Sequence, residues 1–196
     1  SDCIIVATNS LDEFTIQSLI TQGACIDSFG VGERLITSKS EPVFGAVYKI
    51  SAVENNGIFE PRIKVSENIE KITNPGLKKI YRVYDENNKA IADIIAKYDE
   101  VIEDLKEVPY IDPLKPWKKR SFKGCKFVNL QKQVFDGGKF TGTKKSVQEI
   151  AEYVKNQMDN EIWVEEQRFE NPHKHYLDMT PAYYEMKRGL LASVRE

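Results

Sequence analysis

The chain has 196 residues, of which 41% are hydrophobic and 30% charged, and a formal net charge of −2. Those values suit an ordinary soluble globular protein with one sizeable core or pieces of two. They exclude a globally basic surface for nucleic acid or anionic membrane, and neither an apolar run of membrane-span length nor a charged-then-apolar leader pattern is seen.

The first element expected is a strand at Cys3-Ile4-Ile5-Val6-Ala7, a continuous small or apolar run of the kind covered on both faces in a parallel sheet. Ser10 and Glu13 have capping-box spacing, and Phe14, Ile16, Leu19 and Ile20 supply a helical stripe that Gly23 would close. Asp27-Ser28-Phe29-Gly30-Val31-Gly32-Glu33-Arg34-Leu35 then reads as a second strand, a glycine-bracketed turn and a short helix. Glycines let backbone approach an anion closely, and the first amides of a helix point outward with the positive end of its dipole. Gly-x-Gly by itself is equally a tight turn. On pattern alone, a phosphate loop and a plain α/β turn stand level.

Beyond residue 40 the pattern turns to strand alternation. Ala46 to Val53 and Arg62 to Ser66 flank an Asn55-Asn56-Gly57 turn, and Ile80 to Tyr84 and Ala90 to Ala96 flank Asn87-Asn88. Residues 99–124, with Pro109, Pro113 and Pro116 around Trp117, read as an irregular connection in which Trp117 anchors packing. Phe127 to Phe140 reads as a hairpin turning at Asp136-Gly137-Gly138. Ser146 and Glu149 form another capping-box pair ahead of a helix striped with Ile150, Tyr153, Val154 and Met158, and the segment from Pro181 to Leu190 reads as a terminal helix. Cys3, Cys25 and Cys125 lack metal-site spacing. They are expected to be inert thiols, two of them in buried strands, in a reducing cytoplasm.

Several stretches together resemble the bacterial form of the nicotinate phosphoribosyltransferases. They are Ala7-Thr8-Asn9-Ser10-Leu11-Asp12-Glu13, Asp27-x-Phe29-Gly30-Val31-Gly32-Glu33-Arg34-Leu35, Val47-Tyr48-Lys49 and Lys64-Val65-Ser66-Glu67. Lys71-x-x-Asn74-Pro75-Gly76-x-Lys78, Pro116-Trp117-Lys118 and Asn171-Pro172-His173 follow in the family's order. The resemblance implies an enzyme that makes nicotinate mononucleotide and pyrophosphate from nicotinate and phosphoribosyl pyrophosphate, with ATP hydrolysis and magnesium, in NAD biosynthesis. It implies an α/β fold with an antiparallel β segment: residues 1–40 as the last β/α units of an irregular α/β barrel, 41–140 as part of a sheet domain, and 141–196 as a C-terminal helical extension.

By the same resemblance Gly30, Val31 and Gly32, with the amides of Glu33 and Arg34, hold the 5′-phosphate, and Thr8 and Asn9 contact ribose and phosphate. Asp12 and Glu13 read better as helix-capping carboxylates. Some relatives carry Thr or Gly at the position of Glu33, so its side chain is expected to point away or pair with Arg34. No catalytic acid or base and no metal ligand is assigned in this chain. The family's phosphorylated histidine falls before Ser1, which marks the chain as a C-terminal portion, inactive alone, of a cytoplasmic homodimeric enzyme. A nicotinamide-using relative, another phosphate-binding barrel and a non-catalytic module are the alternatives. His173 and His175 form a weak His-x-His metal or phosphohistidine candidate. Lys64, Lys71, Lys78 and Arg82 form a basic set whose default is a solvated face but which could reach an anionic site.

Overall fold

The computed structural model describes residues 3–43, 45–68, 71–118 and 120–194. The chain divides into two compact units, residues 1–48 and 49–196. In the first, β1 (Val6–Thr8) pairs in parallel with β2 (Ser28–Gly30), and each is followed by a helix, α1 (Glu13–Thr21) and α2 (Glu33–Ile36). This is the strand–helix–strand–helix order expected from the sequence.

Three details differ. Ser10 does not cap α1, because it sits at φ 52, whereas an N-cap needs extended backbone. Asp12, at φ −133, does so instead, accepting from the Thr15 amide at 2.8 Å and the Thr15 hydroxyl at 2.7 Å. The apolar run is not covered on both faces: Ile4, Ile5 and Val6 are exposed, since two short strands and two helices within 48 residues cannot enclose them. Cys3 and Cys25 are exposed for the same reason, and Cys125 is half-buried rather than core. Gly23 does close α1: at φ 78 it lets its own amide reach the Ile20 carbonyl while the Ala24 amide reaches Leu19.

The second unit is built on a four-stranded sheet in the order β12-β6-β5-β9: β5 (Lys78–Tyr84), β6 (Ala90–Lys97), β9 (Lys126–Asn129) and β12 (Leu177–Met179). β5 runs antiparallel to both β6 and β9, and β12 lies parallel to β6. Alternation sorts the residues by face. Tyr81, Val83, Ala92, Ile94 and Ala96 bury one side with Val108, Phe122 and Phe127, while Ile95 on the other meets Met179 and Tyr183. Tyr183 belongs to α4 (Pro181–Ser193), whose N-cap Thr180 accepts from the Tyr183 amide and whose first residue is a proline.

The supposed irregular connection contains a hairpin, β7 (Glu107–Tyr110) against β8 (Arg120–Lys123). Pro109 argues against a central strand, but an isolated two-stranded ribbon has an outer edge that tolerates it. Trp117 in its loop is 73% exposed, so it is no packing anchor. Near Asn56 (φ 52) and Gly57 (φ 80), the paired residues are β3 (Ala52–Asn55) and β4 (Ile58–Pro61), closer to the turn than expected, and 62–66 forms no strand. The 127–140 hairpin shrinks to β10 (Phe135–Asp136) and β11 (Lys139–Phe140), because β9 is taken up by β5. The helix α3 (Val147–Asn156) carries the expected capping box from Ser146 and Glu149 and runs into a π-helical turn, Gln157–Glu161.

Asp178 in β12 is a buried charge, 5% exposed, and burial, then the nearby Asp112, pushes its carboxyl up to about 6. A raised carboxyl favours the folded state when protonated, so its contribution declines as pH climbs from the ordinary carboxylate range through about 6. Asp178→Asn is therefore expected to stabilise the protein on the order of 1–2 kcal/mol above neutrality and by nothing at acid pH. Urea unfolding of both proteins across that range checks it.

Candidate functional site

The residues singled out in the first unit converge at the carboxyl ends of β1 and β2. Thr8 ends β1 and is the cross-strand partner of Gly30, which ends β2. Asn9 follows Thr8 at φ 88, a left-handed conformation that asparagine tolerates better than most side chains and that turns the chain sharply out of the sheet. A Cβ on Gly30 would lie 3.2 Å from the Thr8 Cβ and 3.4 Å from its hydroxyl, so the glycine is what permits this approach. Val31 and Gly32 lead into α2, and Gly32 accepts the first turn's bonds from Leu35 and Ile36 at 3.1 Å. The amides of Glu33 and Arg34 occupy the first turn and donate to no carbonyl of the helix.

Of the two expectations for Glu33, pointing away or pairing with Arg34, the structure shows the first, and Asp12 is the capping carboxylate expected at the start of α1. Arg34 Nη1 lies 3.0 Å from Asp12 Oδ2, tying the start of α2 to the cap of α1. Glu33 does not pair with Arg34: its exposed carboxylate lies 3.6 Å from Lys39 Nζ. Bonds from the Thr15 hydroxyl and amide, with Arg34 nearby, hold the Asp12 carboxyl below the ordinary carboxylate range. Glu13 accepts from the Ser40 hydroxyl, so both carboxylates are occupied at the helix start. The Arg34–Asp12 link left no local sequence signal, because it joins two β/α units.

In the second unit, the four basic residues do not gather as a free set. Arg82 grips its cross-strand partner Asp93 through two bonds of 2.9 and 3.2 Å. Lys78 is half-buried and donates to the Gly76 carbonyl at 3.1 Å, while Lys64 and Lys71 are exposed. The two histidines separate as well. His173 meets Tyr176 edge-to-face at 5.6 Å, whereas His175 stands between carboxylates. Its Nδ1 is 3.1 Å from both Glu166 oxygens and its Nε2 is 3.4 Å from Asp93 Oδ1. Arg82, Asp93, His175 and Glu166 thus form an alternating charge chain. Among the described residues, no group of three or more His, Cys, Asp or Glu is placed to hold a metal ion.

This chain has a defined pH response. Asp93 raises the His175 pKa, burial opposes, and Glu166 adds to the rise. Burial pushes Asp93 up, but His175 and Arg82 outweigh it and hold it low. A raised histidine stabilises below its unfolded value of 6.5 and loses that contribution as pH rises through its folded value. A lowered carboxylate stabilises above 3.8 and loses it as pH falls through its folded value. The chain's contribution should therefore be full between those limits. From pH 5.5 to 8.5 the native protein is expected to lose more unfolding free energy than His175→Asn, a difference in slope that denaturant titration across the range checks.

The description "Nicotinate phosphoribosyltransferase C-terminal domain" matches residues 77–187. Over its whole length the chain is 33% identical to the nicotinate phosphoribosyltransferase of Bacillus subtilis (strain 168), spanning 40% of that protein. It is 30% identical over 187 residues to the enzyme of the same name from Caenorhabditis elegans, covering 95% of this chain and 33% of that one. In fold it is similar to the crystal structure of human nicotinic acid phosphoribosyltransferase, with a TM-score of 0.73 and 18% identity over 96% of this chain and 33% of that chain. The chain thus spans two fifths or less of these relatives, and among the described residues no helix is long and apolar enough to cross a membrane. The match over 77–187, more than half of its residues, shows that the chain belongs to the nicotinate phosphoribosyltransferase family.

Proposed function

We propose that this chain is part of an enzyme that joins nicotinate to phosphoribosyl pyrophosphate, giving nicotinate mononucleotide and pyrophosphate for NAD biosynthesis. The observation that carries the proposal is the 33% identity to the Bacillus subtilis enzyme over 196 residues, a span that takes in the glycine loop. In this reading β1–α1 and β2–α2 are the last two units of an irregular α/β barrel.

The work of these residues is to bind and orient. The 5′-phosphate would accept from the amides of Glu33 and Arg34 and from the Thr8 hydroxyl, over Gly30, Val31 and Gly32, with Asn9 turned toward the ribose. Because Asp12 neutralises Arg34, attraction for the phosphate would come mainly from backbone dipoles, which are fixed before substrate arrives. Holding the phosphate fixes the anomeric carbon against nicotinate, and such positioning lowers the barrier without proton transfer. ATP and magnesium belong to the proposed reaction by the family resemblance, and no step in this chain is assigned to either. Nicotinate, an N-terminal part of the enzyme and a second copy of the subunit complete the proposed set of partners, in the cytoplasm.

The test is product formation by the polypeptide that carries this chain in its natural reading frame, given phosphoribosyl pyrophosphate with nicotinate or nicotinamide, with and without ATP. ATP-stimulated nicotinate mononucleotide is the expected result. Product from nicotinamide alone, or from neither base, overturns the reading.

A further inference from the structure

The face of the sheet that carries Arg82 and Asp93 ends in a cleft whose lining residues have no role in the proposed reaction as derived above. We propose that this cleft, of about 290 Å³ and lined by Ile91, Trp163, Glu165, Glu166, His173 and Tyr176, binds a small organic monocation of the quaternary-ammonium or N-alkylpyridinium class. Its volume is at the low end for small-ligand sites, which run to about 300–1,000 Å³.

Two features select the guest. The walls are aromatic: Trp163 and Tyr176 are 40% and 52% exposed, and Tyr176 stands at 72° to the His173 ring. Aromatic faces attract cations most strongly when the cation sheds its water easily, which favours methylated or ring-borne charge over ammonium or a metal ion. The second feature is charge. Asp93 is matched by Arg82, and Glu166, whose side chain is 14% exposed, is matched by His175 when protonated. Glu165 has no cationic partner within salt-bridge distance among the described residues, which leaves one negative charge at the rim for one positive guest. The same field repels nicotinate and phosphoribosyl pyrophosphate, both anions, and so favours a cationic guest. The inference does not depend on the proposed transferase activity.

The experiment uses the polypeptide that carries this chain in its natural reading frame, with the Trp163 indole N–H signal assigned as the one that Trp163→Phe removes. That signal is followed by NMR during titration with tetramethylammonium or N-methylpyridinium chloride, against sodium chloride at equal ionic strength. A saturable shift with a dissociation constant of about 1–10 mM is expected for the organic cations and none for sodium. Glu165→Gln, a change at an exposed side chain, should weaken binding about three-fold or more while the amide spectrum stays native. A shift that never saturates, one that sodium reproduces, or one indifferent to Glu165→Gln overturns the proposal. So does tighter binding of N-acetylarginine methylamide, which would transfer the cleft to the arginine side chain of a protein partner.

Discussion

Tyr183→Ala is expected to lower the unfolding free energy by about 3–5 kcal/mol, the range for removing a large buried ring. Tyr183 is 0% exposed, packs between Ile95 and Met179, and donates its hydroxyl to the Pro75 carbonyl at 2.7 Å. The ring therefore fastens α4 to the sheet and also to the Asn74-Pro75-Gly76 turn. Two other contacts seat the same turn: Lys187 Nζ lies 2.6 Å from Asn74 Oδ1, and Gly76, at φ 79, leaves room for the Met186 methyl that a Cβ would meet at 3.2 Å. Tyr183→Phe keeps the ring and abandons the Pro75 carbonyl, so it should cost only about 1–2 kcal/mol. Equilibrium urea unfolding of the two variants separates packing from hydrogen bonding. Equal losses would mean that the hydroxyl, not the ring, holds the turn.

The second large effect concerns activity. In the intact enzyme, Gly30→Val is expected to reduce kcat/KM for phosphoribosyl pyrophosphate at least about ten-fold, equivalent to about 1.4 kcal/mol of lost transition-state stabilisation. A Cβ at residue 30 already presses within 3.2 Å of Thr8, and a branched side chain must displace either the Thr8 hydroxyl or the strand register that pairs the two residues. The defect should appear mainly in KM, since these residues hold substrate in place and move no protons. Gly45→Ala is the control: its Cβ meets nothing within 4 Å, and it should leave the kinetics unchanged. Full activity in Gly30→Val would reduce the glycine loop to a turn.

Local signals carried much of this fold into view. Strand alternation around Asn87-Asn88 gives β5 and β6, the serine-to-glutamate spacing gives the cap of α3, and Gly23 gives the end of α1. What escaped depends on distant partners. Ser10 and Asp12 both precede a helical stripe, and only the backbone at Ser10 decides which one caps it. β12 is three residues long and exists because β6 offers it an edge, so nothing within Leu177-Asp178-Met179 announces a strand. The glycine loop was legible at the candidate site because its requirement is steric and local. The pairing of Arg34 with Asp12 was not, nor was the charge chain through His175, because each joins segments that only the fold brings together.

The place of β12 beside β6 has a consequence for synthesis. The partner of β6 on that side begins at Leu177, far downstream of Lys97 where β6 ends. At about 5–20 residues per second, a ribosome leaves that edge unpaired for several seconds after its neighbour β5 is available. An open, apolar strand edge is a template for pairing with other chains. The nascent polypeptide is therefore most prone to misassociation during that interval, and a message cut short before Leu177 should yield an aggregating product rather than a smaller stable one.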